Sequence, residues 1–309
     1  MTTELTRAPL FDRDAIAFGV TPTLWWNDDF LDLDAGITFG QAVSEMALAG
    51  FEGCSIGHKY PTDTDVLRAE LSRRRLRVSE PWTSTFFTVE AMHDRTVADF
   101  RRSLDFIRAM GGTDLVVAEL GRTSHTLPVA LVPNRAVFDD AQWDALAAGL
   151  EELGAIARDE GMRLCYHHHM GTGVQTRADV DRLMAMTDPD LVHLLLDTGH
   201  LHFAGDDPLA LAEAYAERIG HVHLKNIRQP VMDEALANGW SFEEAIKHGV
   251  FTVPGDPEGC IAFEPILDVL AARGYRGWLV VEAEQDPNRA NPLDYATLAR
   301  SYLRDVIGF

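Results

Sequence analysis

The chain has 309 residues, 46% apolar and 24% charged, which suits a soluble globular protein with a large core. Its formal net charge of −21 argues against nucleic acid or an anionic membrane as partner. Phosphate recognition needs clustered Lys and Arg, and the chain offers only the short run Arg73 to Arg75, which reads as the polar face of a helix end.

Apolar runs and helical patterns alternate from start to finish. The spacing predicts strands over 16–20, 51–56 and 76–79. A helical face follows at Val97, Phe100, Leu104 and Ile107, then a strand over 114–118. Residues 120–138 form a long connection with two prolines. Leu146, Leu150, Leu153 and Ile156 make another helical face, ended by Gly161 as a C′ residue. Strands over 162–167, 194–197, 221–224 and 278–282 complete the series. Residues 225–263 interrupt it, with a short helix near 242–247 and the turn-rich VPGDPEG. Eight strands alternating with helices predict a parallel sheet closed on itself, an α/β fold of the (β/α)8 TIM barrel type. No linker marks a boundary, so one domain over 1–309 is expected, with the two long connections on its active rim. Cys54, Cys165 and Cys260 are far apart and lack CxxC spacing, as in a reducing compartment. No apolar stretch reads as a signal peptide or approaches the roughly 20 residues of a membrane span, so the expected location is the cytoplasm.

Four strand ends carry metal-ligand chemistry. His167 ends YHHH's first step, Asp197 ends LLLD, His223 lies in HVHLK and Glu282 ends WLVVE. The first two intervals each hold one helix and one strand, and the third holds one such unit plus the 225–263 insertion. A barrel therefore brings all four to its C-terminal rim. By the period of two, His167 and His169 share a face, as do His221 and His223, and Glu282 and Glu284. His167 or His169 is the fifth-strand ligand, and His223, nearer the rim, is preferred to His221. Asp197 either binds the metal or caps the next helix, and the Thr-Gly turn returns His200 to the same mouth. Nitrogen and oxygen donors without a thiolate suit Mn, Co, Fe or Zn. Two anionic ligands neutralise a divalent ion, which suits an uncharged substrate whose carbonyl gains negative charge.

The ligand order resembles that of the sugar isomerase/epimerase superfamily of xylose-isomerase-like TIM barrels. TPTLWWNDD (21–29), GFEGCSIGHKYP (50–61), LCYHHHMGTGVQT (164–176), LLLDTGHLHFAG (194–205), HVHLKNIR (221–228), GVFTVPGD (249–256) and WLVVEAEQDP (278–287) resemble its inosose dehydratase branch. His167 stands where many superfamily members carry Glu, and PGDPEG departs from the branch's more usual PGDG. The resemblance implies metal-dependent dehydration of scyllo-inosose, a polyol ketone, to 3D-(3,5/4)-trihydroxycyclohexane-1,2-dione. It also implies Mn or Co as the ion and an association with glutathione, for which the sequence shows no site.

For such an elimination, His200 or Glu119 is the expected base and Lys225 or His169 the expected acid, each at a predicted strand end. Trp26, Asn27, Asp28, Lys59 and Trp82 follow the first three strands and are expected, with Glu284, to line the substrate pocket. An isomerase or epimerase of a ketose or keto-inositol could use the same ion and enediolate. A non-catalytic sugar- or metal-binding barrel is the third reading. Under any of the three, the exposed rim loops would suit a homodimer or homotetramer.

Overall fold

In the computed structural model, which describes residues 8–309, the apolar runs pair side by side as parallel strands. In chain order these are β1 (Ile16–Val20), β2 (Gly53–Cys54), β3 (Arg77–Val78), β4 (Trp82–Thr85), β5 (Asp114–Glu119), β6 (Arg163–His167), β7 (Val192–Asp197) and β8 (Ile219–Leu224). A small antiparallel pair, β9 (Asn226–Ile227) and β10 (Phe251–Thr252), precedes the last stave, β11 (Gly277–Val281). The sheet runs β3-β2-β1-β11-β8-β7-β6-β5-β4.

Its two edges, β3 and β4, are halves of one stave. Only Ser79, Glu80 and Pro81 separate them. The Ser79 amide donates to the Cys54 carbonyl at 2.9 Å on one side, and the Val116 amide donates to the Pro81 carbonyl at 3.3 Å on the other. The sheet thus closes as the expected barrel of eight staves. The strand expected over 76–79 covers only the first half of this stave. Pro81 has no N–H for a ladder, and WTST lacks apolar alternation, so no periodicity marks the second half.

Helices form where period and caps agree. Asp139 and Gln142 make a reciprocal box at the start of Asp140–Asp159, and Leu146, Leu150 and Leu153 are buried on its inner face. Gly161, at φ +71°, takes the left-handed position past its end. Phe100, Leu104 and Ile107 are the buried face of His93–Met110. The 225–263 connection holds the expected helix Phe242–Lys247 and a second, Gln229–Asn238, which opens on Pro230 near its N-terminus.

Register positions the site. β7 and β8 shift by one residue between Leu194 and Leu195, so Leu194 pairs with Ile219 but Leu195 with His221. The skipped residue is Gly220, where an added Cβ would lie 2.8 Å from the Cys165 sulfur. This irregularity sets Asp197 directly opposite His223, and His223 is opposite Val280 on the other side. Inside the barrel, Val116, Cys165 and Leu195 form a small apolar plug. Beside it runs a line of alternating charge. Arg163 Nη2 meets Asp114 Oδ1 at 2.9 Å, and Asp114 Oδ2 faces His221 Nδ1 at 3.3 Å. His221 Nε2 faces Glu80 Oε2 at 3.3 Å, and Glu80 Oε1 faces His223 Nε2 at 3.3 Å. Among the described residues, no helix is long and apolar enough to cross a membrane.

Candidate functional site

At the C-terminal ends of β6, β7, β8 and β11, side-chain atoms of His167, Asp197, His223 and Glu282 all lie within 4.8 Å of one another. His167 Nε2 is 3.5 Å from Asp197 Oδ2, His223 Nδ1 is 3.8 Å from the same oxygen, and His223 Nδ1 is 2.5 Å from Glu282 Oε2. Donors bound at about 2.0–2.2 Å in a tetrahedron stand roughly 3.4 Å apart, and these separations straddle that value. Asp197 Oδ2, His223 Nδ1 and Glu282 Oε2 are buried without a hydrogen-bond partner, as donors reserved for an ion would be. A divalent cation fits this donor set.

Asp197 does both things the sequence left open. Its Oδ1 accepts from the His200 amide at 2.8 Å and caps the helix Thr198–Phe203, while Oδ2 faces the rest of the quartet. Of the two fifth-strand histidines, only His167 groups with Asp197, His223 and Glu282. His169 Nδ1 lies 2.7 Å from the Met170 carbonyl, and His169 groups with His200 and Glu284 instead of the quartet. His168, on the opposite face, accepts from the Asp197 amide through Nε2, and burial lowers its pKa to about 3.

The charges at the site hold one another. Burial lowers His167 against the pull of Asp197. Burial would also lower His223, but the Glu282 and Glu80 carboxylates outweigh it and raise that imidazole to about 10. Burial pushes Asp197 and Glu282 up, yet the Lys225 ammonium and the histidines keep both below the usual carboxylate range. Lys225 is fully buried and still raised, because Asp197, Glu282 and Glu284 surround it. Glu284 goes the other way: burial raises its carboxyl to about 7 despite Lys225.

His167, His223 and Glu282 form one wall of a cavity of about 300 Å³, also lined by Asn27, Asp28, Trp82, His169 and Glu284, while Asp197 is fully buried outside its lining. The Trp82 indole is 5.5 Å from the His167 ring, and 42% of the residue is exposed. Lys225 and His200 stand just behind the wall, with Nζ 2.7 Å from His200 Nε2.

Like His200 and Lys225, expected as base and acid, the expected site residues Trp26, Lys59 and Glu119 do not line the cavity. Trp26 is fully buried, packed on His58 and Tyr60. Lys59 lies over the Trp26 ring and spends its ammonium on Asp34 Oδ2 at 2.6 Å and the Ile37 carbonyl at 2.8 Å. Glu119 faces the helices. Its carboxylate accepts from the Thr85 and Thr88 hydroxyls and from the Phe87, Thr88 and Gly121 amides, which leaves no reason to assign it a proton-transfer role.

A family model for xylose isomerase-like TIM barrels matches residues 28–306. Over 300 residues the chain is 48% identical to the inosose dehydratase of Bacillus cereus (strain AH820), covering 97% of this chain and 100% of that protein. It is 47% identical to the inosose dehydratase of Bacillus anthracis over the same shares. The chain belongs to the inosose dehydratase family. Solved structures of the same fold include the IOLI protein with a binding zinc atom (TM-score 0.68, 16% identity, 94% of this chain and 98% of that one). L-ribulose 3-epimerase is another (TM-score 0.66, 18% identity, 94% of each chain).

Sequence reasoning missed Glu80, Asp114 and His125. Glu80 and His125 line the cavity, and His125 Nε2 is 3.6 Å from Asp29 Oδ1 at its mouth. Glu80 carries the same signal as the quartet, a carboxylate after a strand, but the proline beside it reads as a turn. His125 comes from the 120–138 connection, where no periodicity assigns a direction.

Proposed function

We propose that the chain is a hydro-lyase that removes water from scyllo-inosose to give 3D-(3,5/4)-trihydroxycyclohexane-1,2-dione, as a cytoplasmic step of myo-inositol breakdown. The observation that carries this reading is near-half identity over the full length of named inosose dehydratases, joined to a four-donor cluster at the barrel rim. We read residues 8–309 as one catalytic barrel.

His167, Asp197, His223 and Glu282 would hold a divalent ion, Mn or Co by family resemblance, with Fe and Zn also matched to these donors. When bound, the ion supplies Lewis-acid stabilisation of the negative charge that develops on the ketone oxygen. The chain's own groups move the protons. The Met170 carbonyl can only accept, so His169 carries its proton on Nδ1 and keeps the Nε2 lone pair, and burial holds the ring neutral. His169 is therefore the base that takes the C–H proton beside the ketone, in place of the acid role expected for it. Glu284, raised toward neutrality, is the acid that protonates the departing hydroxyl, with the Lys225 ammonium at 2.8 Å to hold the carboxylate that results. The C–H and C–OH bonds break, a double bond forms, water leaves, and the enol becomes the dione. Trp82 offers an apolar face to the ring, and Asn27 and Asp28 stand among the polar groups that would meet its hydroxyls.

Incubation of scyllo-inosose with purified, Mn-loaded protein tests this. Loss of one water by mass, with the ultraviolet absorbance of a conjugated diketone or its enol, supports it. An isomeric product of unchanged mass would make the protein an epimerase or isomerase.

A further inference from the structure

Behind the metal-facing histidine stands a carboxylate with no role in the mechanism above. Glu80, at the break between β3 and β4, is 2% exposed, and its two oxygens fork onto two imidazoles. Oε1 lies 3.3 Å from Nε2 of His223, and Oε2 lies 3.3 Å from Nε2 of His221. His223 turns its other nitrogen, Nδ1, toward Glu282 and Asp197. The ring therefore has one nitrogen for the ion and one for Glu80. The carboxylate is itself braced: His221 Nδ1 faces Asp114, which Arg163 holds through two hydrogen bonds at 2.9 and 3.1 Å. Both Glu80 oxygens and the two Nε2 atoms they face are buried and have no other polar partner, so these 3.3 Å ion-pair approaches are the only contacts open to them.

We infer that Glu80 is a positioning residue of the metal centre, taking the Nε2–H of His223 and so presenting the Nδ1 lone pair to the ion. A carboxylate there fixes the tautomer, holds the ring plane and makes the ligand nitrogen more basic. Arg163, Asp114 and His221 extend that support to the N-terminal end of β6, which gives this polar line inside the barrel a purpose. The inference rests on His223 being a ligand, as the proposed function has it.

The test uses full-length wild type, Glu80→Ala and Glu80→Gln, stripped with a chelator and titrated with Co²⁺ by calorimetry while the visible spectrum is recorded. One cobalt per chain is expected throughout. In Glu80→Ala the affinity falls about 10- to 100-fold and the absorption bands shift, because His223 binds less rigidly. In Glu80→Gln the amide oxygen still accepts the Nε2–H without the charge, so affinity is intermediate and the bands return toward wild type. Where Glu80→Ala does not fold, Glu80→Gln alone decides, and wild-type affinity in it overturns the inference. Wild-type affinity and spectrum in Glu80→Ala also overturn it, as do two cobalt ions in wild type falling to one in the variant, which would make Glu80 a ligand. Wild type that takes up no cobalt overturns the ligand quartet along with it.

Discussion

Lys225 Nζ and Glu284 Oε1 meet at 2.8 Å, and both residues are buried. The same ammonium is 3.6 Å from Asp197 Oδ2 and 3.6 Å from Glu282 Oε2, so one lysine spans two carboxylates of the quartet and a third acid. Gly199 makes room for it. A Cβ there would lie 2.4 Å from Lys225 Cγ, so the Thr-Gly pair expected as a turn instead opens the helix Thr198–Phe203 with glycine where the lysine packs. Removing the cation leaves three buried carboxylates without their common partner. Lys225→Met should cost about 3–5 kcal/mol of stability, read from urea unfolding of chelator-stripped protein. A change under about 1 kcal/mol would contradict this account of the lysine.

Asp197 separates folding from metal binding. Asn caps helices about as well as Asp, so Asp197→Asn should keep the Thr198–Phe203 cap. Its amide is a far poorer ligand than a carboxylate, so metal uptake should drop at least tenfold. Elemental analysis after dialysis, beside an unfolding curve, reads both. Wild-type metal content in the variant would remove Asp197 from the ligand set.

Glu284 and Glu119 should behave differently. Glu284→Gln removes the proposed acid, and kcat should fall about 10²- to 10⁴-fold with metal content unchanged. Glu119→Gln disturbs five hydrogen bonds and should lower the melting temperature while leaving kcat within a few-fold at low temperature. Steady-state kinetics on both variants checks the contrast, and a reversed pattern would return Glu119 to the mechanism.

Asp114 predicts acid sensitivity. Burial pushes its carboxyl up, but His221 and then Arg163 outweigh that and hold it below the ordinary 3.8. A depressed carboxyl contributes stability that is fully present above the unfolded value and is lost as pH falls through the folded one. Asp114→Asn should therefore be less stable than wild type at pH 7, and the gap should narrow as pH drops below about 4. Melting curves between pH 7 and pH 3 test this, and a gap that widened in acid would refute it.

The quartet was legible because each of its residues ends an apolar run, and in a parallel barrel strand ends converge on one rim. Period two placed His167 with His169 and His221 with His223, and the structure keeps both pairs on inner faces. The same period accounts for Glu119. Asp114 and Val116 face inward, so Glu119, an odd number of residues on, faces the helices whatever its place at the strand end. Trp26 and Lys59 lie in connections, where composition carries no direction. The short turn Pro22–Leu24 follows β1, and the Trp26 indole beyond it is fully buried and outside the cavity lining. The closure of the third stave depends on hydrogen bonds around Pro81 that neither propensity nor pattern encodes.

In the proposed reaction one divalent ion, held at the ends of β6, β7, β8 and β11, is needed for loss of water from the keto-inositol. The direct test is to strip the protein with a chelator, assay scyllo-inosose dehydration, and then add Mn²⁺ or Co²⁺ stepwise while counting bound ions. The account predicts no turnover in stripped protein and full recovery at one ion per chain. Undiminished dehydration by protein shown to hold no metal would contradict it.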